Sequence, residues 1–247
     1  MFKIKQMGYW LKRLGYLVTK GKFRSSVAEH KHSKGIVDPE MLLPTITIEE
    51  ATDDSEPILS EVVHADGNVS EEELRCIAKL VKFHQPKGIF EIGTFDGRTT
   101  LNMALNAPEA KVVTIDLPPE ELHSTSFRIK KADHSFIKKD ISGSRFIGTD
   151  TESRITQIYT DSAKFDYSKY ASQMDVVFID GAHTYEYVLS DTANSRKLLR
   201  DGKGLLIWHD YGWREVIQAL NEYYENDPYF KGLKNIKGTS LVYLAVE

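Results

Sequence analysis

Glycines and acidic residues stand where short apolar runs of the chain end, in an order suited to binding a nucleotide-like ligand. The first run leads into Glu91-Ile-Gly93-Thr-Phe-Asp-Gly97-Arg-Thr-Thr, and a helical pattern follows directly. Gly93 and Gly97 let the backbone approach a ligand closely, and the free amides of a helix start can hold a carboxylate or a phosphate. Asp116 ends the second run, where it can accept hydrogen bonds from ribose hydroxyls. Asp161 follows the third run, where it can accept from an adenine amino group.

A second group of polar residues, Asp180, His183, His209 and Asp210, follows the fourth and fifth apolar runs. If these runs are neighbouring strands, the carboxylates and imidazoles converge at one edge of a sheet. An imidazole titrates near neutral pH and can take a proton from a reacting hydroxyl, which makes His183 a candidate general base. A purely structural alternative stays open, in which the aspartates bond loop amides and His183 bonds a neighbouring carbonyl.

The elements that must position these residues are short strands alternating with helices. Apolar runs without polar alternation, separated by helical patterns, are typical of a parallel sheet covered on both faces. Residues 233–247 read instead as two strands around Gly238 with no helix between them, which predicts an antiparallel hairpin at the sheet edge. The predicted strands cover residues 89–93, 111–116, 155–160, 175–180 and 204–209, and the predicted helices cover 71–84, 98–106, 184–200 and 213–225.

The start of the first of these helices is marked by Ser70 and Glu73, which form a capping box. The serine hydroxyl can bond the exposed amide three residues on, and the glutamate can bond back. We place the domain boundary just before this helix. Residues 66–247 are then the ligand-binding domain, and residues 1–65 are an N-terminal extension.

The extension is basic and amphipathic at its start. Residues 1–35 hold nine Lys/Arg and one acid, a local net charge of +8, whereas the whole chain has −4. Apolar residues recur at helical spacing over residues 5–19. This predicted helix packs on its own domain or on a partner subunit of a homo-oligomer, or else it contacts a membrane surface or an anionic glycan.

Two irregular segments and a group of aromatic residues are candidates for the acceptor side of the site. Residues 33–69 and 117–150 lack a clear period, and together they predict a lid over the pocket. Trp208, Tyr211 and Trp213 surround the second histidine. They either form a wall of the acceptor pocket, since their faces suit a ring or sugar surface, or pack at the rim of the sheet.

Composition excludes several classes of protein. The chain has 247 residues, 41% hydrophobic and 28% charged, as in ordinary globular proteins. A net charge of −4 gives no reason to expect nucleic acid as a partner. The sequence has no apolar run of about 18 residues, the length that a membrane-spanning helix needs. Lysines also interrupt the N-terminus where a signal peptide would be apolar. The single cysteine, Cys76, suits a reducing cytoplasm.

In combination, these motifs resemble those of class I S-adenosylmethionine (AdoMet) dependent methyltransferases. Residues 91–100 match the Glu-x-Gly-x-x-x-Gly-x-Ser/Thr variant of catechol-type O-methyltransferases. Residues 155–166, 177–186 and 198–210 are similar to one branch of that superfamily, whose members often belong to sugar or antibiotic pathways. The resemblance covers about residues 70–247. It implies an α/β, Rossmann-like, doubly wound sheet of seven strands in the order 3-2-1-4-5-7-6, with strand 7 antiparallel. It also implies AdoMet contacts from Glu91, Gly93, Thr94, Gly97, Thr99, Asp116, Asp161, Ser162 and Asp180.

The resemblance further implies roles for the second polar group. In catechol-type relatives the positions of Asp180, His209 and Asp210 hold a divalent metal, although their pair at 209–210 is Asp-Asn. Oxygen ligands favour Mg²⁺, and an added imidazole moves the preference toward transition ions. The position of His183 carries a lysine base in catechol-type relatives and a histidine in some sugar O-methyltransferases. His183 and Asp180 are therefore the predicted catalytic residues, with or without a metal.

The expected function is transfer of the AdoMet methyl group to a hydroxyl of a small molecule, a sugar or a phenol. An NAD-dependent oxidoreductase is the rival enzyme class, but it would normally carry Gly-x-Gly-x-x-Gly after the first strand. A non-catalytic AdoMet-binding protein is the third alternative.

Overall fold

A computed structural model describes residues 39–138 and 141–247, and residues Glu40–Glu247 form one compact unit. The predicted amphipathic helix over residues 5–19 lies outside the described residues. Within the described part of the chain, no helix combines the length and apolar character needed to cross a membrane.

One sheet of eight strands organises the unit, in the order β1-β7-β8-β6-β5-β2-β3-β4. Read from β4, this is the predicted order 3-2-1-4-5-7-6 with one strand added at the far edge, so the predicted fold is confirmed. All neighbouring strands are parallel except β8, which runs antiparallel to β6 and β7. The strands are β1 (Thr45–Ile46), β2 (Gly88–Ile92), β3 (Lys111–Asp116), β4 (Ile155–Tyr159), β5 (Val176–Ile179), β6 (Gly204–Trp208), β7 (Lys234–Ile236) and β8 (Val242–Val246).

Helices follow most strands, close to the predicted bounds. They are α1 (Ile48–Ala51), α2 (Glu71–His84), α3 (Arg98–Asn106), α4 (His134–Ile137), α5 (Tyr185–Leu198) and α6 (Arg214–Asn226). The capping box of α2 is present, because Ser70 Oγ accepts from the Glu73 amide at 3.2 Å and Glu73 Oε2 accepts from the Ser70 amide at 2.9 Å. The helix therefore begins at the residue that its sequence predicts.

The core lies between the central strands and α2. Ile89, Val176 and Phe178 are fully buried in the strands, and they belong to one apolar cluster with Leu74 and Ile77 of the helix. Side chains of β2 and β5 are buried along their whole length, as strands covered on both faces require. These two strands are neighbours, so their carboxyl ends lie side by side at one edge of the sheet.

Residues 40–65 pack on the domain, so the compact unit begins well before residue 66. Strand β1 pairs in parallel with β7, and the Leu43 amide donates to Tyr211 Oη at 3.2 Å. The Ile58 and Ser60 amides donate to Asn106 and Asn102 of α3, both at 2.9 Å. Asparagine side chains thus take the place of a regular ladder at several amides of this irregular segment.

Candidate active site

A cavity of about 280 Å³ opens at the carboxyl ends of the central strands. Both irregular segments contribute to its wall: Asp66, Gly67 and Asn68 precede α2, and Ile129, Asp133, Phe136 and Ile137 come from the insertion between β3 and β4. Of the predicted site residues, those that line the cavity are Gly93, Asp116, Asp161, Ser162, Asp180, His183, His209 and Asp210. The two predicted polar groups therefore meet in one space.

Gly93 lies directly against the loop that follows β5, at the floor of this cavity. Its φ is +100°, and a Cβ added there would lie 2.0 Å from the carbonyl oxygen of Asp180. Only glycine fits such a position without displacing backbone. Gly97, with φ +84°, begins α3 and is covered by Phe146 of the insertion, so it does not line the cavity.

Glu91 lies beneath the glycine loop in a buried network of threonines. Its Oε2 accepts from Thr114 at 2.6 Å and also from Thr100, and Thr114 in turn contacts Thr94 at 2.6 Å. Burial raises the pKa of Glu91 to about 8, although both threonine hydrogen bonds lower it. Glu91 and Thr94 thus tie β2, β3 and α3 together without lining the cavity. Thr99, half-buried in the first turn of α3, is also outside the lining.

Asp116 and Asp161 face the cavity from the ends of β3 and β4. Asp116 accepts from Ser142 Oγ of the insertion. Asp161 accepts from the amides of Ser126 and Ala163, at 2.8 and 2.9 Å, and from Tyr187 Oη at 2.9 Å. A carboxylate has about four acceptor positions. Asp161 therefore keeps about one for a ligand.

The loops after β5 and β6 bring Asp180, His209 and Asp210 together. One candidate ligand atom from each lies within 4.8 Å of the other two. His209 Nδ1 is 3.1 Å from Asp180 Oδ1 and 3.2 Å from Asp210 Oδ2. Burial lowers the pKa of His209, but the surrounding carboxylates outweigh it and hold the pKa well above its usual range. Asp210 takes a left-handed backbone, φ +64°, which aspartate tolerates better than most residues.

His183 is held between two carboxylates. Its Nδ1 is 3.0 Å from Asp133 Oδ1 and its Nε2 is 2.5 Å from Asp210 Oδ2. Its ring stacks on Trp213 with a centroid distance of 4.9 Å. Burial lowers the pKa of His183, yet the bonds to Asp133 and Asp210 raise it to about 10. In this arrangement the imidazole is positively charged at neutral pH and both its nitrogens are donors.

The charges around the two histidines suit a divalent cation. Four carboxylates surround them, those of Glu73, Asp133, Asp180 and Asp210. Two protonated imidazoles balance only half of that charge. Oxygen and imidazole nitrogen are also a common donor set for divalent ions. The residues present therefore fit the metal site that the sequence predicts at Asp180, His209 and Asp210.

Two acidic residues that contact this cluster were not identified from the sequence. Asp133 lies in the insertion, which has no period from which its position could be read. Glu73 is predicted as a capping residue only, yet its Oε2 lies 3.3 Å from His209 Nε2. Both roles depend on contacts between distant segments.

Of the two interpretations of the aromatic residues, packing holds for Trp208 and Tyr211. Trp208 is buried, with Nε1 donating to Thr192 Oγ1 at 2.9 Å, and Tyr211 is buried against Asn221. Neither lines the 280 Å³ cavity. Trp208 lines only a small adjoining cavity of about 20 Å³, and Tyr211 anchors residues 40–43. Trp213 alone of the three forms part of the wall.

Comparison with known proteins agrees with this architecture. Residues 90–211 match the family described as a methyltransferase domain. A predicted caffeoyl-CoA O-methyltransferase of Arabidopsis thaliana is 30% identical over 148 residues, which are 55% of this chain and 60% of that protein. The match thus spans about three fifths of the length of this curated relative.

Solved structures share the fold at low sequence identity. The S-adenosylhomocysteine-bound methyltransferase of Podospora anserina is 16% identical, with a TM-score of 0.52 over 92% of this chain and 97% of that one. The Bacillus cereus O-methyltransferase in complex with S-adenosylhomocysteine is 16% identical, with a TM-score of 0.50 over 74% and 84% of the two chains. With its sheet order, glycine loop and family match, the chain belongs to the class I AdoMet-dependent methyltransferases. This membership decides against an NAD-dependent oxidoreductase.

Proposed function

We propose that the protein transfers the methyl group of AdoMet to a hydroxyl of a small molecule, with a sugar or a phenol as the acceptor. The observation that carries this proposal is the shared cavity, in which His183, Asp180 and Asp210 face Gly93 and Asp116. The named activity of the Arabidopsis thaliana relative and the S-adenosylhomocysteine bound to the Podospora anserina and Bacillus cereus enzymes support it.

The cofactor would lie along the carboxyl ends of β2, β3 and β4. Asp116 would accept from the ribose hydroxyls, and Asp161 with Ser162 would contact the adenine. Gly93 and Asp180 line the same cavity, so the methionine part would lie beside the second polar group. Much of the rate acceleration would then come from holding the methyl group and the acceptor oxygen in line.

His183 would remove the acceptor proton. Asp133 would keep the Nδ1 hydrogen, and the acceptor hydroxyl would take the place of Asp210 at Nε2. Loss of the contact with Asp210 lowers the pKa of the ring, so that its Nε2 proton passes to solvent and the neutral ring offers a lone pair to that hydroxyl. The oxygen attacks the methyl carbon, the bond from carbon to sulfur breaks, and the hydroxyl proton passes to Nε2. S-adenosylhomocysteine and a methyl ether are the products.

Asp180, His209 and Asp210 would hold a divalent cation beside the acceptor. Such an ion, when bound, lowers the pKa of a coordinated hydroxyl and so eases its deprotonation.

The test is His183→Ala, assayed by transfer of labelled methyl from AdoMet to a panel of sugars and phenols. Turnover should fall by about 10²- to 10⁴-fold, the usual contribution of a positioned base. AdoMet affinity, measured by calorimetry, should stay the same, because the imidazole faces the acceptor. His123→Ala, an exposed histidine of the insertion, is the matched control. Normal turnover by His183→Ala would make that histidine structural.

A further inference from the structure

Glu73 links three parts of the fold through one carboxylate. Its Oε1 accepts from the Ser240 amide at 2.8 Å and from Ser240 Oγ at 2.7 Å, in the turn between β7 and β8. Its Oε2 accepts from the Ser70 amide at the start of α2 and lies 3.3 Å from His209 Nε2. Three protein donors therefore fix the carboxylate in place behind the histidine.

The two ring nitrogens of His209 face opposite ways. Nδ1 points to Asp180 and Asp210, the other two members of the candidate cation site. Nε2 is buried and makes no hydrogen bond to any described residue, so the oxygen of Glu73 is the acceptor available to it. A histidine that binds a metal through one nitrogen almost always donates its other N–H to a carboxylate, a carbonyl or water.

We infer that Glu73 is a positioning residue for His209, directing Nδ1 toward a divalent cation held with Asp180 and Asp210. The Glu73 carboxylate accepts the Nε2 hydrogen, so the neutral ring carries its lone pair on Nδ1. The rigid attachment of Glu73 to Ser70 and Ser240 also fixes the plane of the imidazole. This inference rests on the proposed cation site and adds a residue that the capping box alone would class as structural.

A merely structural role for Glu73 predicts something different. If the carboxylate only caps α2 and anchors Ser240, its replacement should lower stability and leave ion affinity intact in protein that remains folded. Thr47 and Glu50 form the same capping box at α1, without a histidine beside it in the described structure. Glu50→Gln is therefore a matched control for the loss of a capping carboxylate.

The experiment is a titration of the 247-residue chain with Mn²⁺, in which electron paramagnetic resonance and calorimetry measure the binding. Glu73→Gln keeps the size of the side chain and should bind Mn²⁺ about 10- to 100-fold more weakly, the usual effect of losing an outer-shell partner. Glu50→Gln should bind as the wild type does. His209→Asp replaces the imidazole with a ligand that has no second nitrogen to orient. In that background, Glu73→Gln should have little further effect.

Three outcomes would overturn the inference. Unchanged Mn²⁺ affinity in folded Glu73→Gln would leave the residue as a cap only. An equal loss in the wild-type and His209→Asp backgrounds would mean that Glu73 acts through its charge or the fold, and not through His209. A wild-type protein that binds no Mn²⁺ would remove both the cation site and the role of Glu73. Methyl transfer after chelation would then show that the proposed function survives without them.

Discussion

His183 Nδ1 lies 3.0 Å from Asp133 Oδ1, which connects the loop after β5 to the insertion between β3 and β4. Asp133 is buried, and its second carboxylate oxygen has no hydrogen-bond partner among the described residues. The contact resembles the aspartate–histidine pairs of hydrolases, in which the carboxylate fixes the ring and its tautomer. The insertion therefore contributes to the orientation of the proposed base as well as to the cavity wall.

Asp133→Asn should lower turnover by about 10²-fold or more, because an amide can present its NH₂ group to Nδ1 and favour the wrong tautomer. AdoMet affinity should not change, since Asp133 contacts the imidazole and not the strand ends that hold the cofactor. Rates with the sugar and phenol panel and calorimetry with AdoMet measure the two effects. Asp150→Asn, an exposed aspartate of the same insertion, should behave as the wild type. A normal rate for Asp133→Asn would show that Asp210 alone orients the ring.

Asp116→Asn should weaken AdoMet binding by about 10- to 100-fold, because a hydrogen bond to a charged group contributes about 1.5–3 kcal/mol. Calorimetry measures the change. Ser142→Ala is the control, since it removes one hydrogen bond to Asp116 but keeps the carboxylate. Its affinity should not be lower than that of the wild type. If Asp116→Asn binds AdoMet normally, the ribose lies elsewhere in the cavity.

The fold could be predicted because its signals are local. Each apolar run and each helix start, such as Ser70 with Glu73, is visible within a few residues. Strand β1 could not be predicted, because two residues carry no periodicity and their pairing with β7 is a contact between distant segments. The same holds for the insertion, whose described part is mostly turns and short helices.

The second polar group could be predicted because parallel strands end at the same edge of a sheet. Asp180, His209 and Asp210 therefore had to lie close together once β5 and β6 were neighbours. The contacts of Asp133 and Glu73 could not be predicted, since neither follows a strand. Of the two interpretations of the aromatic residues, packing holds for Trp208, which is buried against Thr192, whereas Trp213 lines the cavity.

Gly93→Ala should destabilise the protein by more than Gly148→Ala. Both glycines have a left-handed backbone, with φ of +100° and +78°, which costs other residues about 1–2 kcal/mol. A Cβ at Gly148 would meet open space, whereas one at Gly93 would overlap the Asp180 carbonyl. Urea unfolding measures the difference, and AdoMet binding should fail only in Gly93→Ala. Equal losses of stability would mean that Gly93 does not lie against the Asp180 carbonyl in solution.

The stability of the protein should fall as the pH rises from about 5 to 8, in part because of Glu91. Its pKa is about 8 in the folded chain, above the usual value of 4.5, because the carboxyl is buried. The folded state therefore holds a proton that the unfolded state releases over this range, and folding is favoured below it. Where the dependence is steepest, Glu91 lowers the free energy of unfolding by about 1.4 kcal/mol for each unit by which the pH rises.

Glu91→Gln isolates this contribution, because an amide of similar shape does not titrate and the raised pKa values of His183 and His209 are present in both proteins. The free energy of unfolding, measured in urea at intervals from pH 5 to pH 8, should decline less steeply in Glu91→Gln than in the wild type. The free energy of unfolding of Glu91→Gln should therefore increase relative to that of the wild type as the pH increases. Thr99→Val, at a half-buried position in the first turn of α3, should keep the wild-type slope. Parallel curves for Glu91→Gln and the wild type would show that Glu91 is ionised in the folded protein across this range, with its charge stabilised by Thr100 and Thr114.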